Sequence, residues 1–174
     1  MRTTKRKALG QHFLSNRHIL AKIIKVIDPQ PQDTILEIGA GKGKLTFPLA
    51  LRSGQVIAIE KDKTLIPFLE RKDIPNLRIL NEDVLKLDFL GLGLPDKAKI
   101  VGNLPYSIST PLLFKVFQNK PLFSLCVFLI QKEVAERLCS SPGTKKFAPL
   151  TILFSNHFET RLHFKVPPQA FSPP

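Results

Sequence analysis

Tryptophan is missing from this chain, and methionine and tyrosine occur once each; cysteine occurs twice in 174 residues. Cys126 and Cys139 have neither CxxC spacing nor histidine neighbours. That excludes a disulfide framework and a cysteine-based metal site, so both read as small core residues in a reducing compartment. No apolar run approaches the roughly 18–20 residues needed to cross a bilayer. The longest, residues 122–130, is bracketed by Lys120 and Lys132 and reads as a buried strand. The basic start has no apolar segment after it, which argues against a secretory signal. A cytoplasmic protein with no membrane partner and no metal is expected. Internal repeats and low-complexity tracts are also missing.

Acidic residues are absent from positions 1–27, which carry seven Lys/Arg. The other 147 residues hold 19 basic and 14 acidic side chains, so the net charge of +12 is concentrated at one end. A basic arm (residues 1–16) on a nearly balanced body suits a polyanion, and nucleic acid fits better than membrane because the arm has no long apolar face. The plain alternative is a solvated terminus. Hydrophobic content of 43% and charged content of 23% are those of a globular domain, and the length supports one substantial core.

Asn16 or Ser15 caps a predicted helix over 17–27, where Ile19, Leu20, Ile23, Ile24 and Ile27 recur at helical spacing. Asp28-Pro29-Gln30-Pro31 ends it. Five short apolar runs follow at 35–38, 55–59, 77–80, 99–101 and 123–130. Helical stretches at 45–51, 65–71, 110–118 and 133–139 alternate with them. This alternation predicts an α/β fold with a mostly parallel sheet covered by helices on both faces. Two further runs, 150–158 and 161–166, are separated only by Glu159-Thr160 and predict a C-terminal antiparallel hairpin. The chain stops at Phe171-Ser172-Pro173-Pro174, and more protein is expected to follow.

In a doubly wound sheet, ligands bind beyond the carboxyl ends of the strands near the topological switch point. The first four predicted strands end at Gly39-Ala40-Gly41-Lys42-Gly43, Glu60, Asp83 and Asn103. Counted from Gly39, a dinucleotide fingerprint would need glycine at 44, and a P-loop would need Gly-Lys at 44–45. Lys44-Leu45 fails both. What remains is E-x-G-x-G-x-G over 37–43, in which Gly39 and Gly41 let backbone approach a ligand closely. Glu60, 21 residues after Gly39, stands where an acid takes ribose hydroxyls, and Asp83 can accept from an adenine amine. A ligand with adenine and ribose but no phosphate fits these groups, and S-adenosylmethionine is that ligand. Taken singly, each acid could equally be a turn or helix-capping residue.

The stretch Gly102-Asn103-Leu104-Pro105-Tyr106 sets two acceptors beside an aromatic ring. Pro105 fixes its own φ and biases Leu104 towards extended geometry, so the Asn103 amide oxygen and the Leu104 carbonyl are held in one direction. Such a pair suits a planar substrate with an exocyclic amine. The structural alternative is a strand-to-helix turn with Asn capping and Pro opening the helix.

With these motifs in place, the sequence resembles the ribosomal RNA adenine N6-dimethyltransferases of the KsgA type, a family of class I methyltransferases. The likeness runs through Gly10-Gln11-His12-Phe13-Leu14, the 37–43 loop, Ile59-Glu60-Lys61-Asp62, Asn81-Glu82-Asp83 and Gly102–Tyr106. It continues through Gln131-Lys132-Glu133-Val134-Ala135 and Val166-Pro167-Pro168 to the final Phe-Ser-Pro-Pro. It implies a cofactor site lined by His12, Leu14, Gly39, Glu60, Asp83 and Asn103. It also implies a catalytic loop of Asn103, Leu104, Pro105 and Tyr106, with Tyr106 stacking on the target base and Phe171 able to cover its other face. For Phe171, tail packing is the alternative. The family motif usually has Asn where Ser107 stands, and members continue into a small helical, RNA-contacting domain that this chain lacks.

The implied substrate is a pair of adjacent adenosines near the 3′ end of small-subunit (16S) ribosomal RNA, with the small-subunit precursor as partner and a monomeric enzyme. Arg2, Lys5, Arg6, Lys7 and Arg17 are the candidate phosphate contacts, extended by Lys42 and Lys44. The related large-subunit resistance methyltransferases share nearly every site residue, although Leu104 argues against them because that branch more often has Ile before the proline. An RNA-binding ribosome-assembly factor is the non-enzymatic alternative, and a dehydrogenase the remotest. His18, His157 and His163 receive no role.

Overall fold

The strand residues are apolar on both faces because the sheet they form is covered twice. The computed structural model describes residues 13–141, 143–144 and 149–172. Five strands, β2 (Thr34–Ile38), β3 (Gln55–Ile59), β4 (Leu77–Leu80), β5 (Ala98–Asn103) and β6 (Phe123–Leu129), form a sheet in the order β4-β3-β2-β5-β6. Every adjacent pair is parallel. The chain winds outward from β2 through β3 to β4, then returns to the other side of β2 as β5. The switch point therefore lies between β2 and β5.

Alternate residues of each strand enter opposite layers, as strand geometry requires. Leu36, Ile38, Ile57, Ile59 and Ile100 face a core containing Leu112 and Val116 of α4 (Tyr106–Gln118), together with Phe89 and Leu104. Ile35, Val56, Ala58 and Val101 face the other core. There they meet Ile27 of α1 (Arg17–Ile27), Leu49 and Ala50 of α2 (Thr46–Ala50) and Leu69 of α3 (Ile66–Glu70). Glu37 shares the second face by the same alternation and is buried there.

Helix α1 begins and ends where its sequence signals say. The Asn16 side chain accepts from the backbone N–H of His18 and Ile19 at 3.0 and 3.2 Å. At the other end Asp28 adopts a left-handed φ of 45° and its N–H bonds Ile24 O at 2.9 Å, closing the helix before Pro29. Helix α4 starts four residues earlier than the spacing predicts, at Tyr106, because Pro105 occupies the position before the first turn.

The expected C-terminal hairpin is not formed. Its first arm is helical, α6 (Pro149–Ser155), and residues 161–166 belong to no strand. Leu150, Leu153, Phe154 and Phe158 stand at helical spacing and pack with Leu113, Phe117 and Leu138. Leu138 ends α5 (Lys132–Leu138), and the Thr151 hydroxyl donates to Arg137 O at 2.6 Å. The antiparallel pairing that does exist joins the two ends of the chain. Here β1 (Phe13–Leu14) lies against β7 (Phe171–Ser172) in the register Phe13↔Ser172 and Leu14↔Phe171. Both cysteines are free thiols, and burial pushes Cys126 up to about 12, consistent with a packed rather than reactive residue.

Candidate active site

The glycine loop after β2 is shaped by three left-handed residues, Gly39 (φ 73°), Gly41 (φ 60°) and Gly43 (φ 79°). Side chains other than glycine are strained there. Its start is tied to β3 by Gly39 N–H to Ile59 O at 2.8 Å and Ala40 N–H to Ile59 O at 3.2 Å. Its middle is held by Glu60, which accepts from Gly41 N–H on Oε2 and from Asp62 N–H on Oε1, both at 2.8 Å. Glu60 is buried, and burial raises its carboxyl above the usual range while the Asp62 and Gly41 amides pull it back. Each of its oxygens keeps a further lone pair for a ligand hydroxyl.

Asn81 donates from its side-chain amide to Glu60 O at 2.8 Å, fastening the end of β4 to that of β3. Two residues on, Asp83 pairs with Lys61 Nζ at 2.9 Å and accepts from Leu85 N–H at 3.1 Å. Lys61 thereby holds its carboxyl below the usual range. Asp83 is thus both the turn residue that its position suggested and an ion-pair partner, a pairing across 22 positions that the sequence did not reveal.

Asn103 is the last residue of β5, in register with Leu129, and Leu104 N–H continues the ladder to Leu129 O at 3.0 Å. Gly102 is required by close approach to β2. A Cβ there would stand 2.8 Å from Ile38 O and 2.9 Å from Leu104 Cδ2. Pro105 O accepts from Ile108 N–H at 3.2 Å and from the Ser109 hydroxyl at 3.0 Å, anchoring the loop to the first turn of α4. Leu104 is buried, whereas Tyr106 is 81% exposed.

These parts face a single groove of about 1830 Å³, whose lining includes Leu14, Gly39, Gly41, Glu60, Asp83, Asn103, Leu104, Pro105, Tyr106 and Phe171. Phe171 arrives through the β1–β7 pairing, secured by Ser15 N–H to Ala170 O at 2.8 Å. The side chain sits opposite Leu14 rather than in a loose tail. Lys42 and Lys44 line the same groove, with Lys42 over the Phe13 and Phe68 rings. Arg17 is exposed at the start of α1. His12, Arg2, Lys5, Arg6 and Lys7 lie outside the described residues.

Sequence reasoning gave no site role to Glu37 or Gln131. Glu37 Oε2, Thr46 Oγ1 and Gln131 Oε1 are buried and have no hydrogen-bond partner among the described residues. Glu37 and Gln131 line the groove. Among the described residues there is also no group of three His, Cys, Asp or Glu able to hold a metal, and no helix long and apolar enough to cross a membrane.

A parallel sheet with a glycine loop, a buried acid at the next strand end and a strand-end Asn-Leu-Pro-Tyr loop defines a Rossmann-like class I methyltransferase domain. The chain belongs to the ribosomal RNA adenine dimethylase family, whose model matches residues 2–174. It is 44% identical over 173 residues to ribosomal RNA small subunit methyltransferase A of Geobacter metallireducens, a match covering 97% of this chain and 63% of that protein. Among solved structures, a dimethyladenosine transferase from Plasmodium falciparum superposes with a TM-score of 0.74 at 36% identity, over 82% of this chain and 51% of that one. The 23S rRNA methyltransferase ErmE gives 0.63 at 28% identity, over 72% and 50%. The chain thus spans a little under two thirds of the first curated relatives it matches.

Proposed function

We propose that residues 1–174 form the methyl-transfer domain of an S-adenosylmethionine-dependent enzyme that dimethylates N6 of two adjacent adenosines near the 3′ end of small-subunit ribosomal RNA. The observation that carries this reading is the placement of Asn103–Tyr106. The loop ends β5 beside the glycine loop, and a Cβ on Gly39 would meet Asn103 O at 3.7 Å. Tyr106 meanwhile stands out into the groove. The relatives' naming as small-subunit enzymes supports the choice of RNA.

The residues fit S-adenosylmethionine. Left-handed glycines let the main chain approach it, Glu60 is preset for ribose hydroxyls, and Leu14 and Asp83 flank the adenine end. His12 belongs to the same set by the family resemblance. When bound, the cofactor supplies an electrophilic methyl group on a sulfonium. The chain's own work is on the target base. The exocyclic nitrogen of adenine is a weak nucleophile because its lone pair is delocalised into the ring. Accepting its N–H hydrogens on Asn103 Oδ1 and Leu104 O favours a pyramidal nitrogen with a more available pair; each methylation leaves a cationic nitrogen that releases one proton to solvent, so catalysis is positioning and electrostatics rather than proton abstraction by a side chain. Tyr106 holds the base, since an adenine must leave its stack to react, and such stacking contributes roughly 1–3 kcal/mol per base. Phe171, fixed opposite Leu14, covers the other side. Arg2, Lys5, Arg6, Lys7 and Arg17 bind phosphates. The same proposal makes the ribosomal precursor the partner, the cytoplasm the setting and the enzyme a monomer.

The test is methyl transfer from labelled cofactor to small-subunit particles and to bare large-subunit RNA. Label on the former, and its loss in Asn103→Ala with RNA binding intact, is expected. Label on large-subunit RNA alone would favour the second reading, which the likeness to ErmE supports. Full turnover by Asn103→Ala would refute the role given to the loop.

A further inference from the structure

The β1–β7 ladder has two residues on each side and lies outside the five-stranded sheet. A pairing this short has little stability of its own, so its attachments decide where its side chains sit. One attachment is at Ala170, which is buried. Its carbonyl accepts from Ser15 N–H at 2.8 Å, Asn16 N–H at 3.2 Å and the Ser15 hydroxyl at 3.1 Å, fastening β7 to the start of α1. The other attachment is Phe13, and it leads to the glycine loop. A Cβ on Gly41 would stand 3.2 Å from Phe13 Cε1 and 3.3 Å from Cδ1, so the ring is seated on Gly41. Lys42 Nζ lies 5.9 Å from the centre of the same ring and 5.3 Å from that of Phe68. Gly41 is also the residue whose N–H Glu60 accepts. Successive strand residues point to opposite faces. Phe13 therefore takes one face of the ladder, while Leu14 and Phe171, paired in register, share the other. All three border the groove.

We infer that Phe13 is a positioning residue for both ligands: its ring, seated on Gly41, fixes the β1–β7 ladder against the glycine loop and so holds Leu14 at the cofactor and Phe171 at the target base. The inference rests on the cofactor and base placement proposed above. Phe13 acts through the ladder and touches no reacting atom. Without the ring, β1 keeps its ladder bonds and the clasp at Ala170 but loses its seat on the loop. Each ligand must then order the ladder as it binds, and that cost weakens both complexes. One substitution on the cofactor side therefore reaches the base side, because the two are joined through a single ladder.

Tyr106 is the sole tyrosine and there is no tryptophan, so intrinsic fluorescence reports on the stacking residue directly. The chain is titrated with S-adenosylhomocysteine by calorimetry and then, saturated with it, with an adenosine dinucleotide by fluorescence quenching. Phe13→Ala should weaken each complex about ten-fold. The five-stranded sheet stays folded, because Phe13 is half-buried on a strand outside it. Phe13→Leu keeps apolar bulk on Gly41 and should lose no more than about three-fold of each affinity. Phe68→Leu removes the other ring beside Lys42 while leaving β1 seated, and should stay within about two-fold of the parent for both ligands. Weakened cofactor with dinucleotide binding untouched would confine Phe13 to the glycine loop and overturn the inference. Unchanged affinities for both would overturn it as well, as would equal losses in Phe68→Leu, which would assign the effect to Lys42. Absence of quenching in the parent chain would overturn the base placement and the inference together.

Discussion

Glu37 lies two residues before Gly39, on the sheet face that carries Ile35, and its side chain is buried. Burial pushes its carboxyl up to about 8, with a smaller push from Glu60. The folded chain therefore holds a proton here that the unfolded chain, titrating near 4.5, has lost. Between about 4.5 and 8, stability falls as pH rises; above that window both states are ionised and the slope vanishes. Glu37→Gln should flatten this dependence, raising the melting temperature at pH 8.5 while leaving it nearly unchanged at pH 5. The difference is on the order of a few kcal/mol. An identical pH slope in parent and variant would show that Glu37 is ionised in the fold. At Gly102 the constraint is space rather than charge. Gly102→Ala should push β5 away from β2, destabilising by roughly 1–3 kcal/mol. It should also reduce methyl transfer more than cofactor affinity, which single-turnover kinetics and calorimetry separate. The strand-end positions of Gly39, Glu60, Asp83 and Asn103 were legible because each follows an apolar run. Side-chain states were not: the charge of Glu37, the ion pair of Asp83 with Lys61 and the unpaired oxygen of Gln131 depend on neighbours far away in the chain.

Among the elements, α1 is the clearest case of local signals deciding the outcome. Asn16→Ala removes the cap seen at its start and should cost about 1 kcal/mol, read by chemical denaturation. At its other end the tie is tertiary. Lys99, in β5, donates to Ile27 O at 3.0 Å and Asp28 O at 2.7 Å, and pairs with Asp33 at 2.7 Å, with both side chains mostly buried. Lys99→Met removes the ion-pair partner of Asp33, which keeps the Gln30 N–H, and takes a donor from two carbonyls. A loss of about 2–4 kcal/mol is expected, larger than for the cap. A loss below that of Asn16→Ala would mean that the helix end is held by packing alone. The strands β2 to β6 could be read from sequence because burial on both faces makes them uniformly apolar. Residues 149–155 could not, because Leu150, Leu153, Phe154 and Phe158 satisfy a helical stripe while the whole run is apolar enough to pass for a strand. The two-residue strands β1 and β7 are too short to carry any period, and their partners are some 157 residues apart.

At the scale of the molecule, charge is unevenly spread along the chain. The body is nearly balanced, while the excess lies in residues 1–27. Binding to RNA should weaken steeply with salt. Replacing Arg2, Lys5, Arg6 and Lys7 with alanine should lower the slope of log K against log salt by up to about 3, at roughly 0.7 per single-strand phosphate contact. Cofactor affinity should stay the same. Equal slopes would place the phosphate contacts elsewhere.

The sequence alone determined the strands, the parallel sense of their sheet and which residues stand at the strand ends, because burial, periodicity and turn residues act over a few positions. The tertiary structure alone decided which ends meet. Pairing of Leu14 with Phe171 brings the first and last described strands to one groove, and the β2–β5 switch point sets the glycine loop beside Asn103. Contacts between residues distant in the chain depend on how layers pack, and no local pattern encodes that.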